Sequence, residues 1–261
     1  MDLTDAQWAV LHPLLPRPRI RRDRRGRPWR DPRDVLNGIL WILRTGAPWA
    51  DLPARYPSPK TCHRRFQHWR ADGTLEAVLR ALAQDLEERG QLDLSECFID
   101  ATYAGAKKGA PVSGPTRRGK GTKIMAVADG AGLPLSVSIA SASPNEVTLV
   151  DAALDALLTE GTPAHLIGDK AYDSDALDAR LRQERRIEMI APHRRRRRRP
   201  RTQDGRALRR YRRRWKIERL FAWLHNFRRL VTRYERHAAN FLAFVQLGCI
   251  VILLRQFPFV R

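Results

Sequence analysis

Glu96-Cys-Phe-Ile-Asp-Ala-Thr102 is an apolar run that ends on a carboxylate, Asp100, and this pattern decides the fold. Asp169 follows a second apolar run in the same way, and Glu218 lies within a helical pattern nearer the end of the chain. A carboxylate at the end of a buried segment needs a cation to offset the cost of its burial. Carboxylate oxygens suit Mg²⁺ or Mn²⁺. The sequence therefore predicts strands that end at acidic residues and a site for divalent metal.

The charge of the chain is strongly basic. It contains 49 Lys and Arg residues against 28 Asp and Glu residues, which gives a formal net charge of +21. A GC-rich genome or pressure for solubility can raise the Arg content, but both usually raise the Asp and Glu content as well. Nucleic acid is therefore the predicted partner.

Length and composition predict two units inside one cytoplasmic protein. The chain has 261 residues, of which 43% are hydrophobic, and its pattern changes near residue 90, so we expect a helical DNA-binding domain over 1–90 and a catalytic domain over 91–261. The three cysteines lie far apart, which argues against a zinc site or a disulfide framework. The polar start carries no secretion signal, and the apolar stretch Phe241 to Leu254 is too short to cross a bilayer. We expect a nucleoid-associated protein without membrane contact.

The first unit has a helix-turn-helix spacing. Start signals at Asp31-Pro32 and Ser58-Pro59, with a stop signal at Thr45-Gly46, predict one helix that ends at Gly46 and another that runs to about Arg70. The second helix carries basic side chains that we expect to contact DNA in the major groove: Lys60, Arg64, Arg65 and His68. The alternative is an ordinary solvated basic helix that packs through its apolar residues: Cys62, Phe66 and Trp69.

The second unit alternates between strand and helix patterns. The predicted strands, in chain order, are Cys97–Ile99, Lys123–Ala128, Leu133–Ile139, His165–Gly168 and Ile187–Ala191. Helices are predicted between the later strands, from about Glu146 to Leu158 and from about Ser174 to Gln183. Three antiparallel strands followed by alternating helix and strand predict an α/β fold with a mixed central sheet flanked by helices.

Two basic segments interrupt this pattern. Gly105 to Thr122 is rich in Gly, Lys, Arg, Pro and Ser, and is predicted to be an exposed, mobile loop. Arg194 to Arg199 is a run of arginines that repel one another, so we expect it to stay disordered until it meets phosphates. A solubilising tract is the alternative for this run.

The three carboxylates could converge at one edge of the sheet. Asp100 ends the first strand, Asp169 follows the fourth, and Glu218 lies in a predicted long helix that places Tyr211, Arg214 and Glu218 on one polar arc. Two divalent ions about 4 Å apart, held by carboxylates, can activate a water or a 3′-hydroxyl and stabilise the leaving oxygen of a phosphodiester. Taken singly, Asp100 and Asp169 could instead cap turns, and Glu218 could pair with Arg214.

Several motifs carry a family resemblance that covers nearly the whole chain. They are Phe98-Ile-Asp-Ala-Thr102, Gly168-Asp-Lys-Ala-Tyr-Asp-Ser174, Tyr211-x-x-Arg214-x-x-x-Glu218, Phe227-Arg-Arg-Leu230 and Arg233-Tyr-Glu-Arg236. Upstream, Gly46-Ala-Pro-Trp-Ala-Asp-Leu-Pro53 looks like part of the small domain that precedes the catalytic domain in the same family. With these motifs the chain resembles the DDE transposases of bacterial insertion sequences, in particular the IS5-like branch of the IS4 superfamily.

The resemblance implies an RNase H-like catalytic domain preceded by a small helix-turn-helix-like domain. It implies that Asp100, Asp169 and Glu218 are the catalytic residues and hold two Mg²⁺ ions per active site, for which Mn²⁺ can substitute. Double-stranded DNA is the implied partner, both as inverted repeats of the element and as target DNA, with a homodimer forming on it.

The resemblance also bears on DNA contacts near the catalytic residues. Tyr211 and Arg214 are implied to contact DNA near the cleaved element end, and Lys123 and His225 complete the predicted DNA-binding set. His225 stands where the family has a lysine, so the charge of this contact depends on the pKa of the imidazole.

Three functional hypotheses follow. The leading one is a transposase that hydrolyses a phosphodiester at the element end with metal-bound water, after which the freed 3′-hydroxyl attacks target DNA. The alternative is a non-catalytic DNA-binding regulator or an inactive copy, which His225 favours. A nonspecific RNase H-type nuclease could use the same metals but would have little need for an N-terminal DNA-binding domain.

Overall fold

The computed structural model describes residues 2–17, 29–107, 110–117 and 119–257. Its first elements are helices: α1 (Asp5–Leu11), α2 (Pro32–Thr45), α3 (Pro59–Ala71) and α4 (Thr74–Glu88). The predicted start signals are confirmed, because Asp31 accepts a hydrogen bond from Arg33 N and Ser58 accepts one from Thr61 N. Gly46 ends α2 with φ at 71°, a left-handed conformation that favours glycine.

The strands of the described residues form one mixed sheet. They are β1 (Glu96–Ala106), β2 (Gly114–Thr116), β3 (Gly119–Ala128), β4 (Pro134–Ser141), β5 (His165–Ile167), β6 (Glu188–Ile190) and β7 (Thr232–Arg233). β3 pairs antiparallel with both β1 and β4, whereas β5 is parallel to β1 and β6 is parallel to β5. Three antiparallel strands therefore continue into two parallel ones, which is the strand arrangement of an RNase H-like sheet and confirms the predicted fold class.

Helices cover both faces of the sheet. They are α5 (Val150–Asp155), α6 (Asp175–Arg180), α7 (Gly205–Tyr211), α8 (Trp215–His225), α9 (Arg228–Val231) and α10 (Ala238–Leu254). α10 is buried along most of its length, as its apolar sequence predicts. Within the described ranges, every helix falls short of the length and hydropathy that crossing a membrane requires.

The sheet separates two apolar cores. Phe98 and Ile124 face one core, which also contains side chains of α8, α10 and the N-terminal helices. Ile99 and Met125 face the other, with α5 and α6. This division follows from the strand geometry, since successive side chains point to opposite faces. The N-terminal helices share their core with α10, and the division of the chain near residue 90 stays a prediction.

The basic segment from Gly105 to Thr122 differs from its prediction. β1 continues to Ala106 and pairs with β3 as far as Gly105↔Gly121, so the described part of this segment belongs largely to the sheet. One cause is the buried Arg233, which donates to Thr122 Oγ1 at 2.8 Å and fixes this end of β3. A mobile loop over the whole segment was the wrong prediction.

The predicted long helix around Glu218 is also wrong in part. A turn at residues 212–214 separates α7 from α8, which places Glu218 in the first turn of α8 rather than in mid-helix. Arg213 and Arg214 lie at this turn and bind Glu96 and Asp100 of β1, respectively. These contacts with the sheet accompany the break in the helix.

The run from Arg194 to Arg199 is not uniformly disordered. Arg194 donates to the carbonyl oxygens of Lys170 and Ala171 at 3.1 and 2.8 Å, and Arg197 bonds Asp173 and Asp175. The sequence of the run indicated only repulsion between its arginines. In the structure, the carboxylates of Asp173 and Asp175 neutralise part of this positive charge.

Candidate active site

Two of the predicted catalytic carboxylates lie where the pairing of β1 with β5 ends. Asp100 does not end its strand as the sequence predicted, because β1 continues along β3 to Ala106. The last paired residues of parallel strands β1 and β5 are Phe98 and Ile167. Asp100 lies two residues after the first and Asp169 two residues after the second. Because neighbouring parallel strands run in the same direction, equal offsets bring the two residues to adjacent positions. Each carboxylate makes the electrostatic potential at the other more negative. The charge of Asp169 therefore contributes to raising the pKa of Asp100.

Backbone groups hold both aspartates. Asp100 Oδ1 accepts a hydrogen bond from Ala101 N at 2.8 Å. Asp169 Oδ1 accepts one from Ala171 N at 2.7 Å and thereby caps the short 3₁₀ turn Lys170–Tyr172. The alternative that Asp169 caps a turn is therefore confirmed. It is compatible with a second role, because the other carboxylate oxygen can accept further contacts.

Arg214 joins Asp100 to the third predicted carboxylate. One guanidinium nitrogen binds Asp100 Oδ2, and the other binds Glu218 Oε1 at 2.7 Å. The pairing of Glu218 with Arg214 across one helical turn is therefore confirmed. The Glu218 side chain is 57% exposed, whereas that of Asp100 is 17% exposed. Arg214, with a single positive charge, thus bridges a carboxylate on the sheet and another on α8.

Burial dominates the acidity of Asp100. Desolvation raises the pKa of its carboxyl group, opposed by the hydrogen bond from Ala101 N and by the charge of Arg214, and the resulting pKa is about 6. The nearby carboxylates of Asp169 and Glu146 also raise it. A group in this environment gains more from an added positive charge than a solvated aspartate would.

The carboxylates supply the ligand chemistry for a divalent cation, but their present positions are too dispersed. Among the residues that the structure describes, no three Asp, Glu, His or Cys side chains are grouped closely enough to hold an ion. Asp100, Asp169 and Glu218 nevertheless offer the hard oxygen donors that Mg²⁺ takes. Arg214 occupies the position between two of them, so a shared ion requires its side chain to move.

The predicted DNA-binding residues near this edge differ in their accessibility to DNA. His225 and Tyr103 line an open groove of about 1000 Å³, whose basic residues include Arg117 and Lys120. Burial lowers the pKa of His225, and its Nε2 atom is buried without a hydrogen-bond partner in the described part of the chain. A neutral imidazole is therefore expected near pH 7, unlike the lysine of the family pattern.

Lys123 departs from its prediction as a DNA-binding residue. Its side chain is only 2% exposed, donates to the Pro144 carbonyl oxygen at 2.7 Å and lies 3.5 Å from Glu146 Oε1. The sequence pattern placed this residue at a basic strand end, but strand pairing turns its side chain into the protein. Burial removes it from the surface that a phosphate could approach.

The α3 residues are placed as the sequence predicts. Cys62, Phe66 and Trp69 are buried, whereas Lys60, Arg64 and His68 are exposed. Arg65 is half-buried and stacks on the exposed ring of Trp29, with its guanidinium carbon 3.8 Å from the ring centroid. Arg64, Arg65 and His68 line a groove of about 520 Å³ beside Trp29. A basic face next to an aromatic ring suits contact with nucleic acid.

Sequence reasoning missed several charged residues that support the site. Glu96 binds both Arg210 and Arg213, which ties β1 to the segment before α8. Buried Arg229 binds Glu235 at 2.7 Å and the Ala47 carbonyl oxygen at 3.0 Å, so it connects α9 with the loop after α2. Only the recurrence of arginine in the Phe227–Leu230 motif could have suggested this structural role.

The fold and the neighbouring carboxylates on and after its two parallel strands define a class: RNase H-like proteins whose carboxylates act on nucleic acid phosphodiesters. Two family descriptions match the chain, "Putative transposase of IS4/5 family" over residues 3–79 and "Transposase DDE domain" over residues 79–254. The chain belongs to the IS4/5-type family of DDE transposases.

Similar proteins of known sequence come from insertion elements. The chain is 35% identical over 185 residues to "Putative transposase for insertion sequence element IS402" of Burkholderia cepacia, a match that covers 67% of this chain and 82% of the relative. It is 37% identical over 105 residues to "Insertion element IS402 uncharacterized 16.2 kDa protein" of the same organism, covering 38% of this chain and 70% of the relative.

Among solved structures, the chain resembles the piggyBac transposase synaptic complex with hairpin DNA. The TM-score is 0.48 at 11% identity, and the match covers 92% of this chain and 77% of the other. The Mos1 strand transfer complex gives a TM-score of 0.27 at 11% identity, with 89% and 82% of the two chains covered. Both scores are too low to support an inference about the site.

Proposed function

We propose that this DDE transposase cleaves DNA at the ends of its insertion sequence and transfers the freed 3′ ends to target DNA, with Asp100, Asp169 and Glu218 as its catalytic carboxylates. The observation that carries this proposal is the equal offset of Asp100 and Asp169 beyond the paired ends of β1 and β5. The bond between Arg214, at the start of α8, and Asp100 brings this end of α8, with Glu218, to the same edge.

The proposed cofactor is Mg²⁺, with Mn²⁺ as a substitute and two ions per active site. Such ions would supply a water of lowered pKa and stabilise the charge on the leaving oxygen. Asp100, Asp169 and Glu218 would hold them through carboxylate oxygens. The backbone bonds from Ala101 N and Ala171 N fix one oxygen of each aspartate, and the second oxygen of Asp100 binds Arg214.

Arg214 has a second role in this proposal. Its guanidinium carries the positive charge that Asp100 and Glu218 need when no other cation is near. A DNA phosphate offers the same guanidinium a bidentate partner. We infer that Arg214 moves from the carboxylates to the phosphate near the cleaved bond, which frees both carboxylates and orients the DNA.

The DNA is proposed to contact two surfaces. The basic face of α3, with Lys60, Arg64, Arg65 and His68, would bind the inverted repeat of the element. The groove lined by Tyr103, Arg117, Lys120 and His225 begins next to Asp100 on β1 and would receive the DNA near the cut. We further propose a homodimer on DNA, which would hold two element ends, and a cytoplasmic location at the nucleoid because of the net charge of +21.

The test is incubation of the purified protein with a supercoiled plasmid that carries the DNA flanking its gene. Reactions with Mg²⁺, Mn²⁺ or EDTA are compared, beside an Asp100→Ala control. Nicks that require metal, map to repeated termini and disappear in the variant support the proposal. DNA binding without cleavage with either metal, or equal nicking by the variant, would overturn it.

A further inference from the structure

The N-terminus of α10 opens into a groove beside α3. The groove has a volume of about 630 Å³ and is lined by the first turn of α10 and the second half of α3. The two helices pack through stacked rings, since the centroids of Phe66 on α3 and Phe244 on α10 lie 4.4 Å apart. The groove contains Arg70, one helical turn after Phe66, and Asn240, one turn before Phe244. This packing therefore places a basic side chain against the beginning of α10.

The first turn of α10 presents backbone donors to the groove. α10 has 17 residues, and the side chain of His237, which precedes the first turn, makes no capping bond. The first N–H groups of an α-helix have no acceptor within the helix, and Ala238 and Ala239 supply the first two here. This turn, which the structure describes in full, contains no acidic side chain. The partial positive charge at the helix end therefore has no negative partner on α10 itself.

Two side chains of the groove lack hydrogen-bond partners. Asn240 is only 7% exposed, and its Oδ1 atom is buried without a partner in the described part of the chain. Because nothing there holds Oδ1, the amide can rotate and donate from its NH₂ group. The Nε atom of Arg70 is also buried without an acceptor among the described residues. Buried donors in proteins are almost always hydrogen-bonded, so these groups are expected to find an acceptor in the functional complex.

The chemistry of the groove suits a phosphate, and its position favours the DNA backbone. Backbone N–H groups at a helix N-terminus bind phosphate, and a guanidinium binds it through charge-assisted hydrogen bonds. Arg64 and His68 line both this groove and the groove beside Trp29, so the two grooves form one continuous surface along α3. A duplex that lies on the exposed face of α3 therefore also passes the N-terminus of α10.

We propose that the N-terminus of α10, together with Arg70 and Asn240, binds a phosphate of the DNA backbone beside the exposed face of α3. This inference rests on the proposed function, because it requires α3 to contact DNA. A phosphate contact carries no sequence information, but it sets the register and the orientation of the protein on the duplex. The α10 contact therefore fixes how α3 lies on the DNA.

A structural role makes a different prediction. If water satisfies the donors of the groove, the first turn of α10 only packs against α3, and a charge added there leaves DNA affinity unchanged. Ala239 separates the two roles, because it is exposed and lies in this turn. A glutamate at this position stabilises the helix through its charge but repels a phosphate. Its effects on the fold and on DNA binding therefore have opposite signs.

The experiment measures binding of the full chain to a duplex that carries one end of the element, by fluorescence anisotropy at several salt concentrations. Ala239→Glu is compared with Ala239→Gln, which has nearly the same size and no charge. We expect Ala239→Glu to bind about tenfold more weakly, the scale for loss of a hydrogen bond to a charged group. Its salt dependence should be shallower by about one unit in the slope of log K against log salt, and its melting temperature should not fall.

Ala152→Glu controls for the change in net charge. Ala152 is exposed in the first turn of α5, which packs on the other face of the sheet. The substitution adds the same charge to a helix start far from α3, so binding should stay within about twofold of wild type, a margin that is small beside the expected change. An equal loss of affinity in Ala152→Glu and Ala239→Glu would overturn the proposed site.

Replacement of single phosphates of the duplex by uncharged methylphosphonates identifies the ligand. At one position the replacement should weaken binding by the wild type about tenfold. The same replacement should not weaken binding by Arg70→Ala further, because this variant has already lost the contact. A scan in which every position affects the two proteins equally would overturn the phosphate site.

The outcomes separate this inference from the proposed function. Lys60, which is exposed at the start of α3 and lies outside this groove, reports on α3 alone. If Lys60→Ala weakens binding while Ala239→Glu binds as Ala239→Gln does, the role of α10 is overturned and the contact of α3 stands. If the wild type does not bind the duplex, or if neither substitution weakens binding, the DNA contact of α3 is contradicted and the phosphate site with it.

Discussion

The catalytic edge of the sheet and helix α3 contain similar basic residues in opposite settings. At the edge, arginines are bound to carboxylates: Arg214 to Asp100 and Glu218, and Arg197 to Asp173 and Asp175. On α3, Arg64 is exposed and Arg65 stacks on Trp29. Net charge therefore overstates the positive charge available to DNA near the catalytic residues. On α3, these two arginines are not bound to carboxylates in this way, so the net charge describes the charge available to DNA better there.

This difference predicts different consequences of mutation. A change at the edge disturbs pairs of opposite charges that position catalytic groups, so it should affect the chemical step or the fold. A change on the exposed face of α3 removes charge from a surface, so it should affect DNA affinity and its dependence on salt.

The largest effect is expected from Asp169→Asn. Asparagine keeps an oxygen that can accept the hydrogen bond from Ala171 N, so the turn should persist, but it removes the charge that a divalent cation needs. We expect cleavage at the element end to slow by about 10³-fold or more, consistent with several kcal/mol of lost charge stabilisation. Single-turnover cleavage measures the rate, and a binding assay should show unchanged DNA affinity.

Asp151→Asn is the matched control for this prediction. Asp151 lies on α5 and binds Arg180 at 2.6 Å, away from the strand ends. It should retain the wild-type cleavage rate. An Asp169→Asn variant that cleaves as fast as this control would show that the edge of the sheet at Asp169 is not catalytic.

The second effect concerns Arg229, which connects α9 with the loop after α2. Both partners of its ion pair with Glu235 are buried. Removal of one partner leaves an uncompensated buried charge, so Arg229→Ala should lower the free energy of unfolding by about 3 kcal/mol. Urea denaturation measures this change. The exposed Arg236 is the control, and Arg236→Ala should stay within about 0.5 kcal/mol of wild type. Equal effects of the two substitutions would show that Arg229 does not hold these segments together.

The third effect separates DNA binding from catalysis. Arg64→Ala should weaken binding to an element end by about fivefold and make the salt dependence shallower by about one unit in the slope of log K against log salt. Cleavage at saturating protein should remain at the wild-type rate. Arg255, just after α10, offers a control substitution to Ala. A cleavage defect that persists at saturation would contradict the division of roles.

The smallest effect is a dependence on pH. Burial of Asp173 opposes its ionisation, but bonds from Arg194 N, His193 and Arg197 lower its pKa below the ordinary value of 3.8. A lowered folded pKa stabilises the fold above the unfolded pKa, and this stability is lost as the pH falls through the folded value. Asp173→Asn should therefore cost about 1 kcal/mol at pH 7, and progressively less as the pH falls below 3.8 toward the lowered pKa of the folded state.

Thermal or urea unfolding at pH 7 and pH 3 tests this dependence. Asp155→Asn is a control, because its carboxylate is 65% exposed although it binds Arg185 at 2.5 Å. A difference between wild type and Asp173→Asn that grows as the pH falls would contradict the assigned sign.

Local signals made much of the fold predictable from sequence. The caps at Asp31 and Ser58 and the stop at Gly46 act within a few residues, so the helices that they bound were predicted closely. The strand pattern likewise predicted a mixed sheet and the position of Asp169 just after a strand. It was wrong for Asp100, which lies within β1 because this strand continues along β3 to Ala106.

Contacts between distant segments were not predictable in this way. The extension of β1 and β3 depends on buried Arg233, which the chain supplies from more than a hundred residues away. The break before Glu218 involves bonds from Arg213 and Arg214 to β1. Lys123 looked like a surface charge because sequence does not show which side of a paired strand is covered. Each error concerns a charged residue whose partner lies far along the chain.

The central claim is that Asp100 and Asp169, which lie where the pairing of β1 with β5 ends, hold the catalytic cations. Iron-directed cleavage of the polypeptide tests it most directly: Fe²⁺ replaces Mg²⁺ in the full chain, ascorbate and peroxide generate hydroxyl radicals, and the cut positions are mapped by mass spectrometry. The account predicts cuts near Asp100, Asp169 and Glu218 that excess Mg²⁺ suppresses and Asp169→Asn abolishes. Cuts confined to other segments, or cuts at these positions that persist in the variant, would contradict it.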